Sequence, residues 1–252
     1  MRKLIPNFVR NVVPNFAALL ATALFAHAAL AQEAVIRKNI AERLPDFPAI
    51  DEVNKTPIPG LYEIRIGTEI LYTDEQGNHL IEGQLIETKS RNNLTEARIA
   101  KLTAIDFATL PLKDAIVWKQ GSGARKLVIF ADPNCGYCKR FEKDMQAIKD
   151  VTVYTFLYPI LGGDSPEKSR NIWCAKDNTK AWRDWMLEGT APPRSMGKCD
   201  TTALERNTAM GRKYRVNGTP ALVFEDGKRV PGVMSIEQVE KQFLTSASHL
   251  KG

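Results

Sequence analysis

The stretch VIFADPNCGYCKRFEKDM, residues 128–145, constrains this chain more than any other. An apolar run of strand character gives way to a charged helical pattern, and two of the chain's four cysteines, Cys135 and Cys138, stand at the change. A helix that begins at Cys135 turns free backbone N–H groups and the positive end of its dipole toward that sulfur, which favours thiolate over thiol. Thiolate is the nucleophile of disulfide exchange. Cys138, one turn later, is placed to attack a mixed disulfide on Cys135 and release the partner. The spacing therefore predicts Cys135 as the attacking sulfur, with a pKa well below the free-thiol value, and Cys138 as the resolving one. Lys139 and Arg140 are expected to help lower that pKa.

Other uses of a Cys-x-x-Cys pair fit less well. Zinc needs two more ligands at sensible spacing, but Cys174 and Cys199 are isolated, and after the leader only His79 and His249 are left. Covalent haem asks for histidine at position 139, which is Lys139. A purely structural bridge would close too short a loop to restrict the unfolded chain much. No metal and no cofactor are expected, and a strand-to-helix Cys-x-x-Cys is the setting of a thioredoxin-like redox motif.

The first 31 residues read as a secretory signal peptide. Arg2, Lys3 and Arg10 precede the apolar run FAALLATALFAHAAL, and Ala29-Leu30-Ala31 supplies small residues at the spacing of a cleavage site. The run is shorter than the ~20 residues a membrane-spanning helix needs. Its removal takes away three basic side chains and no acidic one, lowering the net charge from +6 to +3. The remaining positive charge is scattered and not interleaved with aromatics, so no nucleic-acid partner is expected. Export places the cysteines in an oxidising compartment where disulfides persist, and the periplasm is the expected location.

Two blocks follow. Ile36, Ile40 and Leu44 in AVIRKNIAERL lie four apart and predict a short amphipathic helix ended by Pro45. LYEIRI, EILYTD, HLIEG and QLIET read as short strands, with a turn at Asp74–Asn78. This cysteine-free block, residues 32–90, is small for a free-standing core. A connector helix is predicted over 91–112, carried by LTEARIAKLTAIDFATL and stopped by Pro111. From residue 113 to 252 strands alternate with helices: AIVWKQ, KLVIFAD, a helix after Cys135, VTVYTFLY, several helices, ALVFED and a helix near 235–244. That alternation predicts an α/β sheet with packed helices.

With CGYC at 135–138, IWCAKD around Cys174 and VNGTPALVFEDG around Pro220 in this order, the chain resembles the DsbC-type periplasmic thiol:disulfide interchange proteins over nearly its whole mature length. The resemblance implies a small α+β dimerisation domain, a linker helix and a thioredoxin-like α/β catalytic domain. It implies Cys135 and Cys138 as the catalytic pair, with Gly136, Tyr137, Thr219 and Pro220 forming the active-site loops and Pro220 in the cis form. It further implies a second, non-catalytic bridge between Cys174 and Cys199. A second redox pair is the alternative there, although neither sulfur starts a recognisable helix. Thioredoxins, by resemblance, bury a carboxylate six residues before the first active cysteine. Ile129 occupies that position, which suits an isomerase better than a dedicated reductase. Asp132, too close to serve that purpose, is expected to shape the loop.

The function these readings imply is disulfide isomerisation on misbridged secreted proteins, with associated chaperone behaviour. A homodimer and a DsbD-like membrane reductant are the implied partners. A net thiol oxidase or reductase would use the same residues, and a non-catalytic holdase would use none of them.

Overall fold

The computed structural model describes residues 31–249, so the leader expected before them lies outside the described residues. The chain divides into two units, residues 1–99 and 100–252.

In the first unit the alternating segments become strands at the predicted positions. Helix α1 spans residues 31–43. It is followed by strands β1 (Glu52–Lys55), β2 (Leu61–Ile66), β3 (Glu69–Asp74) and β4 (Leu80–Ile81), paired in that order and all antiparallel. The turn after β3 works as its composition predicts. Asp74 accepts from the backbone N–H groups of Gln76, Asn78 and His79, and Gly77 takes φ +63°. A Cβ at Gly77 would come within 3.3 Å of the Ile36 carbonyl, so glycine lets the turn pack on α1. Ile36 and Ile40 from α1 meet Ile64 from β2 in a small core, flanked by Phe47, Ile50, Val53 and Leu71. A two-stranded ribbon, β5 (Ile86–Glu87) and β6 (Asn92–Asn93), precedes helix α2 (Leu94–Leu102).

Here the structure corrects the sequence reading. The connector helix ends at Leu102, far short of residue 112, and only a 3₁₀ turn at Phe107–Thr109 follows. Ile105 is drawn into the second unit's core, and its backbone N–H donates to Gly227 O at 2.9 Å instead of to a helical carbonyl. Asp106 then caps the 3₁₀ turn by accepting from Ala108 N.

The second unit is built on a five-stranded sheet. Its strands are β7 (Ile116–Gln120), β8 (Lys126–Ala131), β9 (Val151–Leu157), β10 (Ala221–Phe224) and β11 (Arg229–Pro231). They lie in the order β11-β10-β8-β9-β7, with β8 and β9 parallel and the other pairs antiparallel. Its helices are α3 (Gly136–Asp144), α4 (Ser165–Trp173), α5 (Asn178–Arg183), α6 (Thr202–Lys213) and α7 (Ile236–His249). A turn of π-helix, Asp184–Glu188, extends α5. The short strands β1 and β11 had no clear signature in the sequence, and α7 runs beyond its predicted end.

Strand β8 is buried on both faces, as its unbroken apolar run requires. Leu127, Ile129 and Ala131 face a core shared with α3, α5 and α7, while Val128 and Phe130 face a second core with Phe156, Val216 and Val223. Each of the larger of these side chains, Leu127, Val128, Ile129 and Phe130, contributes roughly 1.5–3 kcal/mol when fully buried. The C-terminal end of β8 is thereby fixed from both sides, and the next residues carry the chemistry.

Candidate active site

Residues 132–135 link β8 to α3. Asp132 is fully buried and organises the link: Oδ1 accepts from Asn134 N at 2.8 Å and Ser165 Oγ at 2.7 Å, and Oδ2 accepts from Leu161 N at 2.9 Å. Its carbonyl accepts from Cys135 N at 3.0 Å. Cys135 then caps α3 in an extended conformation, and its Sγ accepts from Cys138 N at 3.2 Å. From the other side, Thr219 precedes Pro220 across a cis peptide bond, and its carbonyl oxygen lies 3.2 Å from Cys135 Sγ, accepting from the thiol.

Both sulfurs are unbridged and almost fully covered, Cys135 at 5% exposure and Cys138 at 3%. Between them Gly136 and Tyr137 stand exposed, Tyr137 at 66%. The Cys135 thiol is held down at about 6, first by the Cys138 thiol donating to its anion, then by the helix-start N–H groups and by the nearby Thr219 hydroxyl, which faces the sulfur without closing a full hydrogen bond to the thiol. Burial works in the opposite direction and is outweighed. Lys139 and Arg140, expected from the sequence to assist, are not among the largest causes. Lys139 Nζ instead sits 3.8 Å from the Trp185 ring centroid. Cys138 is pushed far up, first by burial and then by the neighbouring Cys135 anion. At neutral pH the fold therefore favours the anion at Cys135 and the neutral thiol at Cys138, an unequal pair in which Cys135 is the more nucleophilic sulfur.

A second layer braces the link. Trp185, in the π-helical turn, donates from Nε1 to Pro133 O at 2.6 Å, and its ring lies between Lys139 and Lys168. Lys168 Nζ donates to Asn134 Oδ1 at 2.6 Å and pairs with Asp164. The sequence shows Trp185 only as one tryptophan in a loop-rich stretch, because its partners come from distant segments.

Cys174 and Cys199 are bridged, their Cα atoms 5.9 Å apart. The bridge ties the end of α4 to the segment before α6, and both cysteines are half-buried.

One group near the pair escaped the sequence reading. Glu142, on α3, is buried at 3% exposure with Oε1 lacking any hydrogen-bond partner. Burial pushes its carboxyl up to about 7. Ile129 does leave the expected carboxylate position apolar, yet this site is not without a buried acid. The signal was present: Cys138, Phe141, Glu142 and Met145 follow the i, i+3, i+4, i+7 spacing of an apolar stripe, and Glu142 stands on it.

Residues 27–96 match the family described as the disulfide bond isomerase protein N-terminal domain, and residues 112–246 match the thioredoxin-like domain. The probable thiol:disulfide interchange protein DsbC of Bordetella parapertussis is 42% identical over 209 residues, covering 83% of this chain and 73% of that protein. The thiol:disulfide interchange protein DsbC of Salmonella typhimurium is 29% identical over 232 residues, 89% of this chain and 92% of its own. Among solved structures, a disulfide interchange protein from Neisseria gonorrhoeae superposes with a TM-score of 0.51 at 37% identity. It covers 54% of this chain and 98% of that one.

Proposed function

The chain belongs to the DsbC family of thiol:disulfide interchange proteins, and from that premise we propose that it isomerises wrong disulfides in secreted proteins through Cys135 and Cys138. The observation that carries this reading is the unequal pair of sulfurs: a Cys135 thiol held at about 6 beside a Cys138 thiol pushed up by burial. Cys135 attacks a client disulfide and forms a mixed disulfide, and one client sulfur leaves as thiolate. Either another client thiol displaces Cys135, which completes an isomerisation, or Cys138 does so and leaves the client reduced. Thr219 and Pro220 line the approach to Cys135, and exposed Gly136 and Tyr137 border it, so a client strand would meet the sulfur there.

The compartment is the periplasm, reached through the leader at residues 1–31. To remain an isomerase in an oxidising space the pair must be kept reduced, which assigns the chain a DsbD-like membrane reductant. Among the described residues no helix is long and apolar enough to cross a membrane. The block over residues 32–90 serves as the dimerisation domain, 91–112 as the linker and 113–252 as the catalytic domain. In the first unit β1 and β4 are sheet edges, and Ile81 and Ile86 are half exposed, features suited to pairing with a second copy and to holding unfolded clients.

Refolding of a scrambled multi-disulfide protein, with the pair kept reduced, tests the proposal. Native pairing should recover much faster with this protein than without it, and a fragment starting near residue 103, which keeps Ile105 and Leu110 in the second unit's core, should exchange thiols yet isomerise poorly. Net oxidation of reduced clients without reshuffling would make the chain an oxidase. Aggregation suppressed equally by a Cys135→Ser, Cys138→Ser double variant, with no reshuffling by the parent, would make it a holdase.

A further inference from the structure

Resolution by Cys138 poses a chemical difficulty. Its thiol is buried and strongly disfavoured as an anion, yet it must become a thiolate to attack. Glu142 lies one helical turn further along α3, on the same stripe. Residues at i and i+4 are neighbours on a helix, so Glu142 and Cys138 share the buried face of α3 one turn apart.

The surroundings of this carboxyl do little to satisfy it. Trp182 from α5 and Trp118 from β7 turn their indole N–H groups toward it, but neither Nε1 nor Glu142 Oε1 closes a hydrogen bond. Arg183 on α5 is the cation that faces it, and its guanidinium is drawn off over the Trp118 ring, 4.9 Å from the centroid. A buried carboxylate held this incompletely costs stability. Leucine on the same stripe would pack without that cost. An acid kept there at such expense needs a use.

We propose that Glu142 is the proton acceptor for Cys138, a positioning group that acts through that sulfur during resolution; the inference rests on Cys138 being the resolving cysteine. The Glu142 carboxylate takes the proton from Cys138 Sγ. The Cys138 thiolate then attacks Cys135 Sγ, forming the Cys135–Cys138 bond and breaking the bond between Cys135 and the client sulfur. The client sulfur leaves with the electron pair and takes up a proton, so the client is reduced and the cysteine pair oxidised. Glu142 returns its proton to solvent or to the departing sulfur. A carboxyl already poised near neutrality, as burial makes this one, exchanges a proton readily at physiological pH. It also ties the choice between outcomes to pH: below the Glu142 midpoint Cys138 stays protonated, and a client remains on Cys135 longer, with more time to rearrange its own thiols.

The reduced full-length protein mixed with the chromogenic disulfide 5,5′-dithiobis(2-nitrobenzoate) separates the two steps in one trace. The first aromatic thiol released reports attack by Cys135, and the second reports resolution by Cys138. In the parent the second phase should accelerate with pH through a midpoint near 7. In Glu142→Gln the first phase should be unchanged, while the second slows at least tenfold at pH 7 and accelerates only above pH 8.5. Glu142→Asp should restore part of the rate and a midpoint below 8. A second phase in Glu142→Gln with the parent's rate and pH profile overturns the inference. So does a parent second phase that is flat through pH 7, which serves as the test if the Gln variant does not fold. Absence of the first phase in the parent would instead overturn the assignment of Cys135.

Discussion

Cys135 and Cys138 sit at the start of a helix with both sulfurs covered, whereas Cys174 and Cys199 join two segments 25 residues apart and are half-buried. The same element serves opposite ends because of what surrounds it. Around the first pair, the Cys138 thiol, the Thr219 hydroxyl and the backbone N–H groups of Tyr137 and Cys138 all address Cys135 Sγ and outweigh the Thr219 carbonyl, which accepts from the protonated thiol, so the ionised form is favoured, as disulfide exchange needs. The second pair has no comparable set of donors. Among the described residues the polar neighbour of Cys199 Sγ is the carbonyl of Asp200, at 3.8 Å, an acceptor and not a donor, and the pair's contribution comes from closing a loop. A cysteine's chemistry follows from its donors, and its structural value follows from the length of chain it ties.

The sharpest way to break this comparison is to remove one sulfur from each pair. Cys135→Ser should lower thiol exchange at least 1,000-fold, because no other ionised thiol is available at neutral pH. The paired change Cys174→Ala, Cys199→Ala should leave exchange within about twofold, measured by the same reduction assay. Equal losses would erase the distinction.

Next in size is stability. Opening a loop of 25 residues should cost about 3 kcal/mol by the chain-entropy estimate, seen as a lower denaturant midpoint in the paired alanine variant. Reducing Cys135 and Cys138 alone has no such loop to open.

The pH dependence sharpens the comparison further. The Cys135 pKa is lower in the folded chain, about 6, than in the unfolded one, ~8.5. Its stabilisation is therefore complete above the unfolded value and lost as pH falls through 6. Between these limits the reduced protein should gain about 1.4 kcal/mol per pH unit relative to the form with Cys135 and Cys138 bridged. Above ~8.5 Cys138, kept neutral by the fold, works against that gain. Glu142, raised to about 7, works the other way, losing stabilisation as pH climbs toward that value, so the Cys135 slope is read cleanly between about 7 and ~8.5. Chemical denaturation of the two forms from pH 5 to 9 gives this slope directly. A slope of zero would mean that Cys135 is not activated in the fold.

The smallest effect belongs to the brace. Trp185→Phe removes the donor to Pro133 O while keeping most of the ring that Lys139 and Lys168 cover, and should cost about 1 kcal/mol. If the brace also positions Cys135, its thiolate absorbance should titrate at a higher pH in this variant. No corresponding change is expected at Cys174–Cys199.

The sequence by itself determined the features that depend on neighbours along the chain. LYEIRI and EILYTD became strands over the residues predicted because alternation and the Asp74–Asn78 turn are local signals. The place of Cys135 at the start of α3 was legible for the same reason, since an apolar strand, a short link and a helical stripe adjoin one another. Tertiary structure decided the rest. Residues 103–110 have the composition of a helix, but the chain leaves α2 at Leu102 because burying Ile105 and bonding its N–H to Gly227 replaces the helical ladder. Which groups hold Cys135 down was equally out of reach, because Thr219 arrives from 84 residues away while the adjacent Lys139 is taken by Trp185. Glu142 shows the division most clearly. Its spacing put it on the buried face of α3, but only the arrival of Trp118 from β7 and Trp182 from α5 excluded the water that would have kept its carboxyl an ordinary surface charge.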